Sequence, residues 1–174
     1  MRQILEAAAF AADRHRSQRR KDVHATPYIN HPLALARVLA TEGGITDMST
    51  IIAALLHDTI EDTMTTRDEL AHHFGPEVAA IVVEVTDDKD LSKQQRKDQQ
   101  VAHAPHLSTK ARAVKLADKI CNLRDVADSP PVGWPLARRQ EYFDWARAVV
   151  DGLRGDHPAL ERKFDEAYAR RPVE

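Results

Sequence analysis

Ala53-Ala54-Leu55-Leu56-His57-Asp58-Thr59-Ile60-Glu61-Asp62 is the stretch on which the reading of this chain turns. Ile51 to Leu56 is an unbroken apolar run, far too short to span a bilayer, and it reads as a core helix. An imidazole and a carboxylate follow directly behind it. A helix from near Asp47 to about Glu61 stacks His57 with Glu61 and Asp58 with Asp62, each pair one turn apart. Three carboxylates then crowd one end of a buried helix. Burying them uncompensated costs several kcal/mol, and a divalent cation removes that penalty.

Working outward, helical spacing dominates and strand signals are weak, with no Asn-Gly or Asp-Gly hairpin turn. Arg2 to about Ser17 forms a first helix, with Ile4, Leu5, Ala8, Ala11 and Ala12 on one face, and Lys21 to Pro27 is a loop. Pro32 opens a second helix that reaches about Glu42, where Gly43-Gly44 stops it. After the 47–61 helix, Thr66-Arg67-Asp68-Glu69 has capping-box spacing and begins a short helix ending before Gly75. Further helices are predicted from Pro76 to about Val85, Lys93 to Ala102, Thr109 to Ala127, Pro135 to Leu153 and Pro158 to Arg170. The expectation is an all-α fold: one compact helical domain of about nine helices over residues 1–174.

Composition narrows the function classes. The 43% hydrophobic and 30% charged fractions fit a globular chain and argue against disorder. Cys121 is the only cysteine, which excludes an intrachain disulfide and a cysteine-held zinc, and suits a reducing cytoplasm. The N-terminus has no signal-peptide apolar block, and no membrane partner is expected. A net charge of −2 argues against nucleic acid as a partner. One local exception is His15-Arg16-Ser17-Gln18-Arg19-Arg20-Lys21. That run reads either as a solvated helix end or as a cradle for a highly anionic small molecule.

His57 and Asp58 need further ligands from elsewhere in the chain. His31 stands at a helix start in Tyr28-Ile29-Asn30-His31-Pro32, and Asp118 stands among Val114, Leu116, Ala117 and Ile120, an expensive place for a lone carboxylate. Plainer readings exist for each. A single buried histidine is usually a hydrogen-bonded core residue, and Asp118 has Lys115, Lys119 and Arg124 within reach along its helix. Taken together, the four residues favour a metal centre. Two imidazoles and two carboxylates without thiolate suit Mn²⁺, Fe²⁺ or a catalytic Zn²⁺. Such an ion is a Lewis acid that brings water toward the pKa needed for attack, and Glu61 and Asp62 are placed to orient that water or take its proton.

The ordered set His31, His57-Asp58, Asp118 resembles the HD superfamily of metal-dependent phosphohydrolases. The fuller segments, His15 to Lys21, Thr26 to Pro32, Ala54 to Thr63 and Lys115 to Arg124, resemble the hydrolase domain of the RelA/SpoT alarmone enzymes. Chain length, with Gly133-Trp134 and Glu141-Tyr142-Phe143-Asp144-Trp145, is most similar to the stand-alone small alarmone hydrolases of the Mesh1 type. The resemblance includes no synthetase segment, so synthesis of the alarmone is not expected. The resemblance implies removal of the 3′-pyrophosphate of (p)ppGpp with Mn²⁺, giving pyrophosphate and GDP or GTP. It implies metal ligation by His31, His57, Asp58 and Asp118, and assistance to the attacking water by Glu61 and Asp62. It further implies substrate binding by Arg20, Lys21, Asn122, Arg138 and Tyr142. After Lys21 the chain reads Asp22-Val23-His24-Ala25, a departure from the Ser-Gly-Glu of many longer relatives. The rival readings are an HD-type phosphohydrolase for another nucleotide such as NADPH, and a non-catalytic nucleotide-binding regulator. The sequence does not specify an oligomeric state.

Overall fold

The computed structural model describes residues 1–173. Its helices are α1 (Arg2–Arg14), α2 (Asn30–Arg37), α3 (Met48–Leu56), α4 (Thr59–Asp62), α5 (Arg67–Phe74), α6 (Pro76–Val85), α7 (Lys93–His103), α8 (Thr109–Asp128), α9 (Leu136–Asp151) and α10 (Pro158–Tyr168). Apart from the one-turn α4, the described residues form nine α-helices, as the spacing predicts. Among the described residues the only strand-like feature is one isolated bridge between Arg19 and Pro27. No helix among the described residues is long and apolar enough to cross a membrane.

Two helices form the centre. α3 buries Ile52 to Leu56 without interruption, so it is apolar all round and is enclosed by α1, α2, α6 and α8. Each of Leu55 and Leu56 contributes about 1.5–3 kcal/mol by leaving water. Asp47 caps this helix by accepting from the Thr50 N–H at 2.9 Å. α8 starts at the Ser108 cap and lies between α2, α3 and α6 on one side and α9 and α10 on the other. It consequently buries charged residues, Lys115 and Lys119, as well as apolar ones. The α5–α6 junction rests on Gly75, whose φ of +92° excludes side-chain-bearing residues without strain.

Three expectations are corrected. The helix predicted over 47–61 is broken at His57-Asp58, where Asp58 takes φ −99° and ψ 0°. Side chains cause the break. His57 Nδ1 bonds the Ala54 carbonyl at 2.9 Å and the Thr59 hydroxyl bonds that of Leu56 at 2.7 Å, capturing the acceptors that a continuing helix needs. α1 stops at Arg14, not near Ser17, and turns Leu5 to solvent while burying Ala7 and Ala11. α2 starts at Asn30, before Pro32, and its end widens into a π-helical turn over Val38–Glu42.

Candidate metal centre

α2, α8 and the α3–α4 break meet at one point. His31 comes from the first turn of α2, Asp118 from the middle of α8, and His57 from the end of α3. One donor atom from each lies within 4.8 Å of the other two. His31 Nε2 is 3.2 Å from Asp118 Oδ1, and the two imidazole centroids are 5.3 Å apart. Asp58 stands at the edge of this trio, with Oδ2 2.9 Å from His57 Nε2.

The donors fit a cation. Because the Ala54 carbonyl only accepts, His57 Nδ1 carries a hydrogen toward it, and Nε2 is the nitrogen that faces the cluster and would take a cation once deprotonated. Buried Nε2 makes no hydrogen bond even with Asp58 so near, as expected of two donors aimed at a common third atom. A backbone carbonyl behind a ligating imidazole is a common way to fix its tautomer. Asp118 is held in turn by Asn122 Nδ2 at 2.6 Å and by Lys119 Nζ at 3.3 Å. Of the cations that the sequence offered to Asp118, only Lys119 pairs with it. Lys115 instead donates to the Val85 carbonyl at 2.9 Å, and Arg124 forms a two-pronged bridge to Glu42, both contacts at 2.8 Å.

The electrostatics follow. Burial works against the charged His57 ring, but Asp58 and Asp118 prevail and lift it to about 9. Burial also works against Asp58 and Asp118, yet His57 holds the first below its ordinary range, and Lys119 with His31 holds the second well below. Without an ion, the protein therefore keeps a proton on the cluster where a cation would place its charge. Glu61 behaves oppositely. Burial and the charges of Asp87, Asp58 and Asp62 push its carboxyl up to about 7, against the Asp87 N–H that donates to Oε2 at 3.0 Å. Asp62 accepts from Gln18 Nε2 at 2.8 Å and pairs with Lys89 Nζ at 2.7 Å.

Three adjoining cavities share Glu61 and Asp62 in their walls. The one over His57, Asp58 and Asp118 measures about 340 Å³. A larger one of about 680 Å³ is lined by Arg20, Lys21, Asn122 and Tyr142, together with His31, Glu61 and Asp62. The third, about 440 Å³, carries Arg138, Lys93, Arg96 and Lys97. Four predicted substrate residues thus share one cavity, and Arg138 sits next door, its guanidinium 4.3 Å above the Trp134 ring. Arg20 is shared between Asn122 and Asp125. Elsewhere in the basic run Arg16 pairs with Asp13 and Arg19 bonds backbone carbonyls, while Lys21 faces the cavity.

Sequence reasoning missed Tyr28, whose hydroxyl donates to Asp58 Oδ2. It also missed Trp145, whose ring lies between Lys119 Nζ at 4.3 Å and Lys97 Nζ at 5.5 Å, its own N–H donating to the Lys97 carbonyl. A lone aromatic in a loop or on a half-exposed helix face carries no periodic signal.

A family model described as HD domain matches residues 7–143, across the whole cluster. A Xenopus tropicalis protein described as guanosine-3′,5′-bis(diphosphate) 3′-pyrophosphohydrolase MESH1 is 59% identical over 95% of this chain and 92% of its own length. The chain belongs to the HD-domain family, in its Mesh1-type branch. The Homo sapiens member of that branch is 56% identical over 97% of the chain and 94% of its own length. A solved structure described as a metazoan ortholog of SpoT that hydrolyzes ppGpp superposes with a TM-score of 0.94 at 47% identity, covering 97% of this chain and 95% of that one. HD-domain membership and the His31–His57–Asp118 cluster together mark a divalent metal site.

Proposed function

We propose that this chain is a guanosine-3′,5′-bis(diphosphate) 3′-pyrophosphohydrolase that converts (p)ppGpp to GDP or GTP and pyrophosphate with Mn²⁺. The observation that carries the reading is the convergence of His31, His57 and Asp118 donors within 4.8 Å beneath a cavity rimmed by Arg20 and Lys21. The activity described for relatives at 56–59% identity supports it.

His31, His57, Asp58 and Asp118 are the proposed ligands. A divalent cation held by them supplies Lewis acidity toward phosphoryl oxygen and water, and the nitrogen and carboxylate donor set suits Mn²⁺. Glu61, with its carboxyl lifted to about 7, is matched to accept a proton from the attacking water near neutral pH. Asp62, held by Gln18 and Lys89, orients that water. Arg20 offers a planar fork to substrate phosphate, and burial has not cost it its charge, because Asp125 keeps the guanidinium's affinity for its proton high. Lys21 and Arg138 add positive charge, while Asn122 and Tyr142 form the wall against the nucleoside.

The whole chain, 1–174, acts as one domain in this reading. A buried free thiol at Cys121 and a net charge of −2 support a cytoplasmic enzyme without nucleic-acid partners. The test is a substrate panel with Mn²⁺, containing ppGpp, pppGpp and NADPH, in which release of pyrophosphate from ppGpp is expected and is lost in His57→Ala. Turnover of NADPH but not of the guanosine substrates, or tight binding without turnover, would overturn it.

A further inference from the structure

His15 is 2% exposed and lines none of the three cavities over the site. Its backbone closes α1, donating to the Ala11 carbonyl. Its ring touches two residues that hold the centre. Nδ1 lies 2.6 Å from Gln18 Oε1, and the ring packs against Tyr28 with centroids 4.8 Å apart. Gln18 Nε2 donates to Asp62 Oδ2 at 2.8 Å, and the Tyr28 hydroxyl donates to Asp58 Oδ2.

Donor and acceptor directions along this path are fixed. The Asp62 carboxylate only accepts, so the Gln18 amide turns its NH₂ toward it and its oxygen toward His15. The His15 Nδ1 therefore carries the hydrogen. Nε2 is left buried without a partner. Such an atom is rare and calls for an explanation. Packing alone supplies none, because an apolar ring fills the same space without a bare nitrogen. Donation from Nδ1 explains it.

We propose that His15 is a positioning residue, which sets the orientations of Asp62 through Gln18 and of Asp58 through Tyr28. The proposal rests on the roles given to those two carboxylates above. Lys89 holds the other oxygen of Asp62, but its side chain is 49% exposed, and a solvated ion pair constrains orientation weakly. The His15–Gln18 path is anchored from the interior by the buried His15 ring, although its outer bond, from Gln18 to Asp62, meets solvent.

The test compares variants in Mn²⁺-dependent ppGpp hydrolysis. His15→Phe keeps a ring against Tyr28 and removes the Nδ1 donor. It is expected to lower kcat by about tenfold to a hundredfold, the scale of a small misplacement of a reacting group, with KM held within about twofold. His15→Asn places an amide N–H near the Nδ1 position and recovers most of kcat. Gln18→Leu matches the His15→Phe loss, and the double variant is no slower than either single one, because both break one path. Wild-type kcat in His15→Phe, equal losses in His15→Phe and His15→Asn, or losses that multiply in the double variant would each overturn the proposal. If His15→Phe does not fold, Gln18→Leu and His15→Asn carry the same comparison. The second arm needs no substrate: Tyr28→Phe is expected to weaken Mn²⁺ binding in calorimetry by about tenfold. Unchanged affinity removes Tyr28 from the path. A wild-type protein inactive on ppGpp would instead defeat the functional reading before any variant is made.

Discussion

The floor of the site and its rim hold their charges in opposite ways. On the floor, the His31, His57 and Asp118 side chains are only 2%, 6% and 14% exposed, and each is anchored on a buried helix. On the rim, Lys21 is exposed, Arg138 lies over Trp134, and Arg20 is divided between Asn122 and Asp125. A buried charge without its partner is destabilising by several kcal/mol, whereas a rim charge loses little when its partner leaves, because water replaces it. The floor thus decides whether a reaction occurs, and the rim decides how tightly a substrate is held while it does.

The strongest way to break this contrast is on the floor. Asp118→Asn or His57→Ala is expected to reduce turnover by on the order of 10³ or more and to abolish the rise in Tm that Mn²⁺ gives the parent, read by calorimetry. A floor variant that keeps its Mn²⁺-dependent Tm shift would show that the cluster is not the binding site. Glu61→Gln comes next, with kcat down by about 10²–10⁴ and Mn²⁺ stabilisation retained, since Glu61 is assigned a proton and not the ion.

The pH dependence sharpens the same division. His57, at about 9, must give up its proton for an ion to bind, so Mn²⁺ affinity is expected to rise with pH up to about 9 and level off beyond. In the ion-free protein the signs are fixed by linkage. The His57 contribution to stability is complete below its ordinary value near 6.5 and is lost as pH rises through about 9. Glu61, raised to about 7, binds its proton more tightly in the folded state, so stability also declines as pH rises from about 4.5 to about 7. Saturating Mn²⁺ removes the His57 part of this decline, which urea titrations at several pH values measure.

Smaller effects belong to the rim. Arg20→Ala is expected to raise KM about tenfold with kcat within about twofold, the scale of one charge-assisted hydrogen bond to phosphate. Arg138→Ala is expected to raise KM by about two- to fivefold. Arg124 is the control: it lies on the same helix as Asp118, but its guanidinium is committed to Glu42. Arg124→Ala is expected to lower stability by about 1 kcal/mol and leave kcat and KM unchanged.

The same contrast explains what was legible in the sequence. His57-Asp58 and Asp118 stood out because each interrupts an apolar run, where a polar residue is expensive and needs a reason. The helix count followed from period and caps, including the Thr66–Glu69 spacing that starts α5. The break at Asp58 was not legible, because it is made by two side chains bonding carbonyls three residues back, and both fit an intact helix equally well in a one-dimensional pattern. Nor did spacing decide among Lys115, Lys119 and Arg124 as the partner of Asp118. That choice depends on which neighbouring helix offers a competing acceptor, Val85 in α6 for Lys115 and Glu42 in the π turn for Arg124.

Trp145 gives the centre an optical consequence. Its indole sits 4.3 Å from the Lys119 ammonium, which is paired in turn with the Asp118 carboxylate. Any ion that draws charge from Asp118 changes the electric field across that ring. Tryptophan fluorescence, with only Trp134 as background, therefore follows occupancy of the centre without dye, label or turnover.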